Sequence, residues 1–359
     1  MYILDTLKMD SYLNNKKDYR GIALVIGIEK FDQREDQGNI DRKCCQADIK
    51  MMNSMFEKLD FFVECFKDLT AKQIREKVLK ASKDPRNEKC QCFVLVISTH
   101  GREINDKKEG LWHHVVMGSD RERVMVEELL EMFDGQKARG LNGKAKMFFI
   151  QACRIKDIMN PSQYHGNDEG FYADVTDSAS SVYEEEHIYE FEDEDFNDNC
   201  DDIYKEWERD VKCWDPVGKK TPGSQEGPTG DSDSSPDINA LPPEPLDVLR
   251  VKCPKDCLIY YSAESGYKAF KSEDGSDLFR CMFRQFPKLL RGRNIITYLT
   301  YVNMALSLSE FIFDDNYSED NYSKVTASYL TKMNKQVVFQ PLNEKSRMAK
   351  ARRIIYQKD

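Results

Sequence analysis

Residues 92–101 read Cys-Phe-Val-Leu-Val-Ile-Ser-Thr-His-Gly, an apolar run that ends in polar residues. A continuous run of β-branched and aromatic side chains is typical of a strand buried on both faces of a sheet. A second such run, Met-Phe-Phe-Ile at 147–150, leads into Gln-Ala-Cys-Arg at 151–154. The sequence therefore predicts two buried strands, each followed directly by side chains that can do chemistry.

Outward from these two strands, apolar runs alternate with amphipathic stretches. Further strands are predicted at 21–28, 61–66, 257–261 and 336–339, and helices at 46–59, 70–82, 126–133, 277–290 and 294–308. This alternation predicts an α/β fold, a mostly parallel six-stranded sheet with helices on both faces. Active sites in such sheets lie beyond the carboxyl ends of the strands, where His100 and Cys153 fall.

The composition excludes several classes of protein. Hydrophobic residues are 40% of the 359 residues, enough for one large α/β domain or two small ones. No apolar run approaches the roughly 20 residues of a membrane span, and the first residues do not have the order of a signal peptide. A soluble, cytoplasmic protein is therefore expected, in which the 11 cysteines remain thiols.

Charge divides the chain into segments. Residues 154–246 carry 25 Asp and Glu against 7 Lys and Arg, although the net charge of the chain is only −10. Such a composition, rich also in Pro, Gly and Ser, cannot bury enough apolar surface to order itself. The predicted divisions are a short amino-terminal tail at 1–19, a folded region at 20–177, a disordered acidic linker at 178–250, a second folded region at 251–343 and a basic tail at 344–359.

Cys153 and His100 are the candidate catalytic pair. A thiol attacks a peptide carbonyl as the thiolate, so a cysteine nucleophile needs a base nearby at neutral pH. The ends of parallel strands lie side by side, which would let His100 take the thiol proton and later give it to the leaving amine. Gly101 permits close approach of the backbone to a substrate, and its N–H and that of Cys153 are candidates for an oxyanion hole.

These residues resemble the caspase family of cysteine proteases. Residues 151–155, Gln-Ala-Cys-Arg-Ile, match four of the five positions of the motif Q-A-C-[RQG]-G, and His100 lies the expected distance of about 50 residues upstream. Three other segments also resemble the family: the first strand at 20–26, the start of the small subunit at 261–267 and the following Ser-Glu-Asp-Gly-Ser at 272–276. The resemblance covers roughly residues 20–155 and 250–343.

The resemblance implies an endopeptidase that cleaves proteins after aspartate, in apoptosis or other regulated proteolysis, without cofactor or metal. Its acid-reading pocket uses two arginines and the glutamine before Ala-Cys. Arg42 and Gln151 match two of these positions. The second arginine corresponds to Lys271, whose ammonium group is a point charge, whereas a guanidinium is planar and can donate two parallel hydrogen bonds. Phe270 precedes Lys271, where caspases usually have tryptophan. Ile155 replaces a glycine, so the loop after Cys153 is expected to follow a different path.

The resemblance also implies a zymogen that matures by self- or trans-cleavage in the linker. Asp177, which ends Asp-Val-Thr-Asp before a serine, is the first candidate cut, and Asp233 and Asp237 are further candidates. Cleavage at Asp10 would free the amino-terminal tail, whose shortness resembles an effector caspase rather than an initiator. A homodimer of two large and two small subunits is expected. We further hypothesise that the uncut linker masks a basic cleft.

The sequence is compatible with alternative functions. Lys271 and Ile155 are compatible with a catalytically impaired homologue that regulates others by pairing with them. A preference for basic substrates is disfavoured, since Arg42 would lie beside the substrate's cation. Adjacent His113 and His114 would point to opposite faces of a strand and no cysteine spacing suits zinc, so no metal site is predicted. The basic tail is interpreted as a solvated terminus rather than a nucleic-acid site.

Overall fold

A six-stranded sheet organises the computed structural model, which describes residues 10–13, 19–33, 39–106, 111–156, 252–272, 274–308 and 327–340. The strands in chain order are β1 (Tyr19–Gly27), β2 (Phe62–Lys67), β3 (Cys90–Ser98), β4 (Gly101–Asp106), β5 (Leu111–Met117), β6 (Arg123–Met125), β7 (Ala145–Gln151), β8 (Cys257–Tyr261), β9 (Lys271–Ser272), β10 (Gly275–Ser276) and β11 (Ser328–Thr331). The α-helices are α1 (Cys45–Lys58), α2 (Ala71–Ser82), α3 (Val126–Glu131), α4 (Asp277–Leu290) and α5 (Ile295–Leu308).

The strand order of the main sheet is β11-β8-β7-β3-β1-β2. Neighbouring strands from β8 to β2 pair in parallel, and β11 pairs antiparallel with β8. Strands β1, β3, β7 and β8 are buried along their whole length, which is why each reads as an unbroken apolar run. The predicted mostly parallel six-stranded sheet is confirmed.

Helices cover both faces of this sheet, as predicted. Alternate strand residues such as Val94 and Phe149 belong to a core that contains residues of α1, α4 and α5. Their neighbours Leu95 and Ile150 belong to a second core that contains residues of α2 and α3. Successive side chains of a strand point to opposite faces, so one strand supplies both cores.

The sixth strand lies at β11 and not at residues 336–339, where the sequence predicted it. Val337 and Phe339 are buried, which accounts for their apolar pattern. In the described part of the chain, residues 336 and 338 make isolated bridges with Ser11 and Asn294 and belong to no strand. The real edge strand, Ser-Tyr-Leu-Thr, is largely exposed and so lacks the apolar run that marks a buried strand.

A three-stranded antiparallel sheet, β4-β5-β6, was not predicted and lies next to the carboxyl ends of β3 and β7. It starts at Gly101, directly after His100. A Cβ atom at Gly101 would lie 2.8 Å from Ala152 Cβ and 2.9 Å from Cys153 O. Glycine at this position therefore lets the hairpin pack against the loop that carries Cys153.

Part of the predicted amino-terminal tail packs on the body of the protein. Tyr12 and Leu13 are buried, and the Tyr12 hydroxyl donates a 2.7 Å hydrogen bond to Asp256 Oδ1. The carbonyl of Asp10 accepts a 2.9 Å hydrogen bond from the N–H of Gln336. The candidate cuts at Asp177, Asp233 and Asp237 lie outside the described residues. Among the helices that are described, none has the length and apolar character needed to cross a membrane.

Candidate active site

His100 and Cys153 follow two neighbouring strands of the sheet. Ser98 and Gln151 are the last residues paired between β3 and β7. His100 and Cys153 each lie two residues beyond this last pair. The N–H of Thr99 donates a 3.1 Å hydrogen bond to the carbonyl of Gln151, which continues the pairing towards the two residues. The fold thus brings the imidazole and the thiol to one edge of the sheet.

His100 is held as a neutral base. Its Nε2 lies 2.8 Å from the carbonyl oxygen of Ile40, and since a carbonyl only accepts, Nε2 carries the hydrogen and Nδ1 keeps its lone pair. The ring packs against Phe31, with 5.0 Å between centroids. Burial, aided by the positive charges of Arg42 and Lys271, holds the pKa of His100 well below its usual value. The imidazole is therefore unprotonated at neutral pH.

The thiol of Cys153 is fixed by the backbone of a segment distant in sequence. Its Sγ lies 3.4 Å from the N–H of Ala269 and 3.7 Å from the carbonyl oxygen of the same residue. Cys153 is buried, and packs with Ala263, Ala269 and Ile155. The segment that leads to β9 therefore sets the position of the sulfur.

Arg42 lies buried beside this pair. Its Nη1 donates a 3.0 Å hydrogen bond to the hydroxyl of Ser98, the last residue of β3. Burial by itself lowers the pKa of Arg42, but neighbouring acidic groups, chiefly Cys44 and Asp48, outweigh this and raise it. The guanidinium is therefore a permanent positive charge next to the carboxyl end of β3.

Lys271 and Gln151 lie around the same charge. Lys271 is buried on β9, and its positive charge, together with that of Arg42, lowers the pKa of both His100 and Cys44, although burial raises that of Cys44 overall. Gln151 is paired in register with Ser98 and is also buried. Within the described residues, its Oε1 has no hydrogen-bond partner. Two cations and a side-chain amide are thus gathered near Cys153.

Asp48 connects the hydrogen-bond partner of Arg42 with the strand that pairs with β9, and it was not recognised from the sequence as part of the site. Its Oδ2 accepts a 2.6 Å hydrogen bond from Ser98, the partner of Arg42. Its Oδ1 accepts 2.7 Å and 2.9 Å hydrogen bonds from the N–H and the hydroxyl of Ser276, which pairs with Lys271 across β9 and β10. One buried carboxylate therefore holds both the arginine and the strand that carries the lysine.

Comparison with known proteins decides the family. Residues 20–340 match the model of the caspase domain of the peptidase C14 family. The chain belongs to the caspase family. It is 33% identical over 156 residues to caspase-8 of Rattus norvegicus, 35% over 135 residues to caspase-6 of Gallus gallus, and 34% over 133 residues to caspase-9 of Homo sapiens.

These matches are partial. They cover 42%, 38% and 37% of this chain, and 30%, 40% and 30% of the respective relatives. The chain thus spans well under half the length of these relatives. The caspase family is a family of cysteine peptidases, and this chain is a member of it. Its mostly parallel sheet covered by helices is consistent with a caspase-like fold.

The loop after Cys153 is held by contacts between charged side chains that were not predicted from the sequence. Arg154 Nη2 lies 2.9 Å from Glu103 Oε1, and both side chains are buried. Ser265 donates a 2.6 Å hydrogen bond to the other oxygen of Glu103, and the guanidinium lies 4.4 Å from the centre of the Tyr261 ring. The four residues come from three separate segments of the chain, so no local pattern could have revealed all of their contacts.

Two of the three departures from the caspase pattern, Phe270 and Ile155, lie in defined surroundings. Phe270 is buried in the core that α1 and α4 share, and its carbonyl accepts a 3.3 Å hydrogen bond from Asp277. Ile155 accepts a 2.8 Å hydrogen bond at its carbonyl from the N–H of Glu103, while its side chain packs on Cys153. The loop after Cys153 therefore runs along β4.

The adjacent histidines of this caspase contact different groups. His113 Nδ1 lies 3.0 Å from Glu127 Oε2, whereas His114 Nε2 lies 3.2 Å from the carbonyl oxygen of Cys153. The described ranges contain no group of three or more His, Cys, Asp or Glu side chains placed to hold a metal ion.

Proposed function

We propose that this chain is an endopeptidase that cleaves proteins after aspartate, with Cys153 as nucleophile and His100 as general acid and base. The observation that carries the proposal is the buried positive charge beside the thiol. Arg42 and Lys271 lie within electrostatic reach of His100, and Gln151 is a neighbour of Arg42 through Ser98. A buried substrate carboxylate needs a charged hydrogen-bonding partner of this kind.

The proposed reaction starts with transfer of the Cys153 proton to Nδ1 of His100. The thiolate adds to the scissile carbonyl, and the N–H groups of Gly101 and Cys153 stabilise the oxyanion. The imidazolium, whose Nε2–H is held by Ile40, then protonates the leaving amine. The C–N bond breaks and leaves a thioester on Cys153. In the second half, His100 takes a proton from water as the water oxygen adds to the thioester carbon, and it returns this proton to the Cys153 sulfur as the C–S bond breaks and the product acid leaves.

The pocket supports selection of an acidic residue. Arg42 can offer a planar fork to a carboxylate, while Lys271 supplies a point charge and the Gln151 amide a further hydrogen bond. A basic side chain would meet two buried cations, which argues against cleavage after lysine or arginine. The neutral state of His100 and the retained pocket do not favour an impaired homologue.

Maturation and assembly are part of the proposal. We expect cleavage at Asp177, with Asp233 or Asp237 releasing the other end of the linker, and a role in apoptosis or other regulated proteolysis in the cytoplasm. A homodimer is supported by β11, an edge strand that exposes Tyr329 and Leu330. An exposed edge strand is a ready template for pairing with a second copy. Cleavage at Asp10 would leave residues 11–13 on the body.

The test is hydrolysis of fluorogenic peptides that end in Asp, Glu or Lys by the purified full-length chain. We expect release after Asp in the wild type and none in the Cys153→Ala variant. Cys65, an exposed thiol on β2, gives the matched control, and Cys65→Ala should retain activity. Equal hydrolysis of the Lys peptide, or residual activity in Cys153→Ala, would refute the proposal. Absence of activity in every form would favour the regulatory homologue.

A further inference from the structure

His114 is a buried histidine for which the proposed reaction has no step. It lies on β5 opposite Glu103, and only 5% of its surface is exposed. Its ring packs edge-on against Tyr261, with 5.6 Å between centroids. Its Nε2 lies 3.2 Å from the carbonyl oxygen of Cys153, whereas Nδ1 has no hydrogen-bond partner within the described residues.

The contacts define the state of this ring. A carbonyl accepts only, so Nε2 of His114 must carry the hydrogen and donate it to Cys153. Burial, together with the positive charge of Arg154, lowers the pKa of His114 to about 3 and outweighs the hydrogen bond to Cys153. His114 is therefore a neutral donor with one fixed tautomer at the pH of the cell.

The peptide groups on both sides of Cys153 are held. In the peptide that follows Cys153, the Cys153 carbonyl accepts a hydrogen bond from His114. The N–H of the same peptide, that of Arg154, donates a 2.9 Å hydrogen bond to the carbonyl of Tyr267. In the peptide that precedes it, the carbonyl of Ala152 accepts a 3.2 Å hydrogen bond from the hydroxyl of Ser262. Fixing both planes fixes the backbone dihedrals of Cys153.

These dihedrals, together with the side-chain torsion that the contacts with Ala269 hold, set where the N–H and the Sγ of Cys153 point relative to each other. The reaction uses both groups at once, since the sulfur attacks the carbon while the N–H stabilises the developing oxyanion. We infer that His114 is a positioning residue, which holds the peptide after Cys153 so that the thiol and the oxyanion donor face the same carbonyl. This inference rests on the proposed peptidase function.

Three variants separate positioning from simple stability. His114→Leu removes the donor at similar size, His114→Gln offers an amide donor, and His113→Leu is the matched control on the same strand. Removing a direct oxyanion donor costs about 100- to 1000-fold in kcat, so we expect His114→Leu to lose about 10- to 100-fold with little change in KM. His114→Gln should recover part of this loss, and His113→Leu should keep the kcat of the wild type.

A peptide aldehyde ending in Asp isolates the covalent step. The thiolate adds to the aldehyde carbon, the C–S bond forms, and the carbonyl π electrons move to oxygen, which is stabilised as the oxyanion is. The matching product peptide acid binds without this bond. We expect His114→Leu to lower the affinity for the aldehyde by more than about tenfold and the affinity for the product acid by much less. This is the behaviour of an interaction that stabilises the transition state. An equal loss of affinity for both ligands in His114→Leu, or a kcat equal to that of the wild type, would overturn the inference.

A measurement on the wild type covers the case in which the variants do not fold. Nitrogen-15 NMR of the imidazole should show His114 as the Nε2–H tautomer throughout about pH 5.5 to 8, where an ordinary histidine titrates. Titration of His114 in this range, or the other tautomer, would contradict the inference. A wild type that hydrolyses no peptide and binds no aldehyde would instead count against the proposed function, so the two failures are distinguishable.

Discussion

At the scale of single residues, Arg42 is expected to carry specificity. Removing one partner of a buried charge pair typically costs about 2–5 kcal/mol, so Arg42→Ala should lower kcat/KM for an Asp peptide by well over tenfold. Lys271→Arg keeps the positive charge and should keep or improve cleavage. Steady-state kinetics on Asp and Glu peptides measure both variants. Loss of all activity in Lys271→Arg would mean that Lys271 does not face the substrate carboxylate.

The pKa of His100 gives a second prediction at this scale. Burial first, and then the charges of Arg42 and Lys271, lower this pKa, so the base stays unprotonated as the pH falls. The acid limb of kcat/KM should therefore lie below the ordinary histidine pKa of about 6.5. Lys271→Met removes one cation and should move the limb to higher pH.

Lys271→Arg is the control for this pH profile, because it retains the charge and should leave the acid limb where the wild type has it. A limb that stays in place in Lys271→Met would show that Lys271 does not act on His100. Rates of Cys153 alkylation across the same pH range provide a readout that does not depend on substrate binding.

At the scale of elements, Asp48 joins α1 to Ser98 at the end of β3 and to Ser276 of β10. Asp48→Ala would leave Ser98 and Ser276 without their common acceptor and free both Arg42 and β10 to move. Leaving buried polar groups without a hydrogen-bond partner typically costs about 1–3 kcal/mol each, so we expect a marked fall in the unfolding midpoint and in cleavage after Asp. Glu57→Ala, an exposed change on the same helix, is the control and should leave both unchanged.

Gly275 shows how closely these elements meet. Its φ is +125°, and a Cβ atom there would lie 2.6 Å from Met51 Cε of α1. An Asp48→Ala variant with the stability and kinetics of the wild type would show that the contact between α1 and β10 does not position the pocket. Calorimetry and kinetics on the same preparation make this comparison direct.

The elements differ in how well the sequence predicted them. The four central strands were predicted because burial on both faces leaves an apolar run, and α4 was predicted with its observed bounds from its apolar face. The β4-β5-β6 sheet and β11 were missed, since partly exposed antiparallel strands have mixed composition. At the site, His100 and Cys153 could be placed from the ends of β3 and β7. Contacts such as Asp48 with Ser276 join distant segments and have no local pattern.

At the scale of the whole molecule, cleavage at Asp177 is the first expectation. Exposed, flexible segments are where proteolysis concentrates, and the acidic linker has the composition of such a segment. Mass spectrometry of the purified wild type should find a fragment that ends at Asp177, and Cys153→Ala should remain intact if the chain cuts itself. An intact wild-type chain with peptidase activity would refute this.

The charge of the linker leads to a further prediction. Residues 154–246 are strongly acidic, whereas the rest of the chain has 46 basic and 38 acidic residues. If the uncut linker lies across a basic cleft, salt should weaken that contact. An uncleavable chain with Asp177→Ala and Asp233→Ala should then gain activity, relative to the cut enzyme, as salt rises. No relative gain would leave the linker as a simple tether.

The pairing of β7 with β8 has a consequence for the processed protein. These two central strands lie on opposite sides of the linker, so a cut there leaves two polypeptides that share one sheet and two cores. Folding of the intact chain is unimolecular, but reassembly of the two pieces after denaturation is bimolecular. Its yield should therefore fall on dilution, whereas that of the uncut chain should not. Maturation would thus make the native state of this protein harder to regain once it is lost.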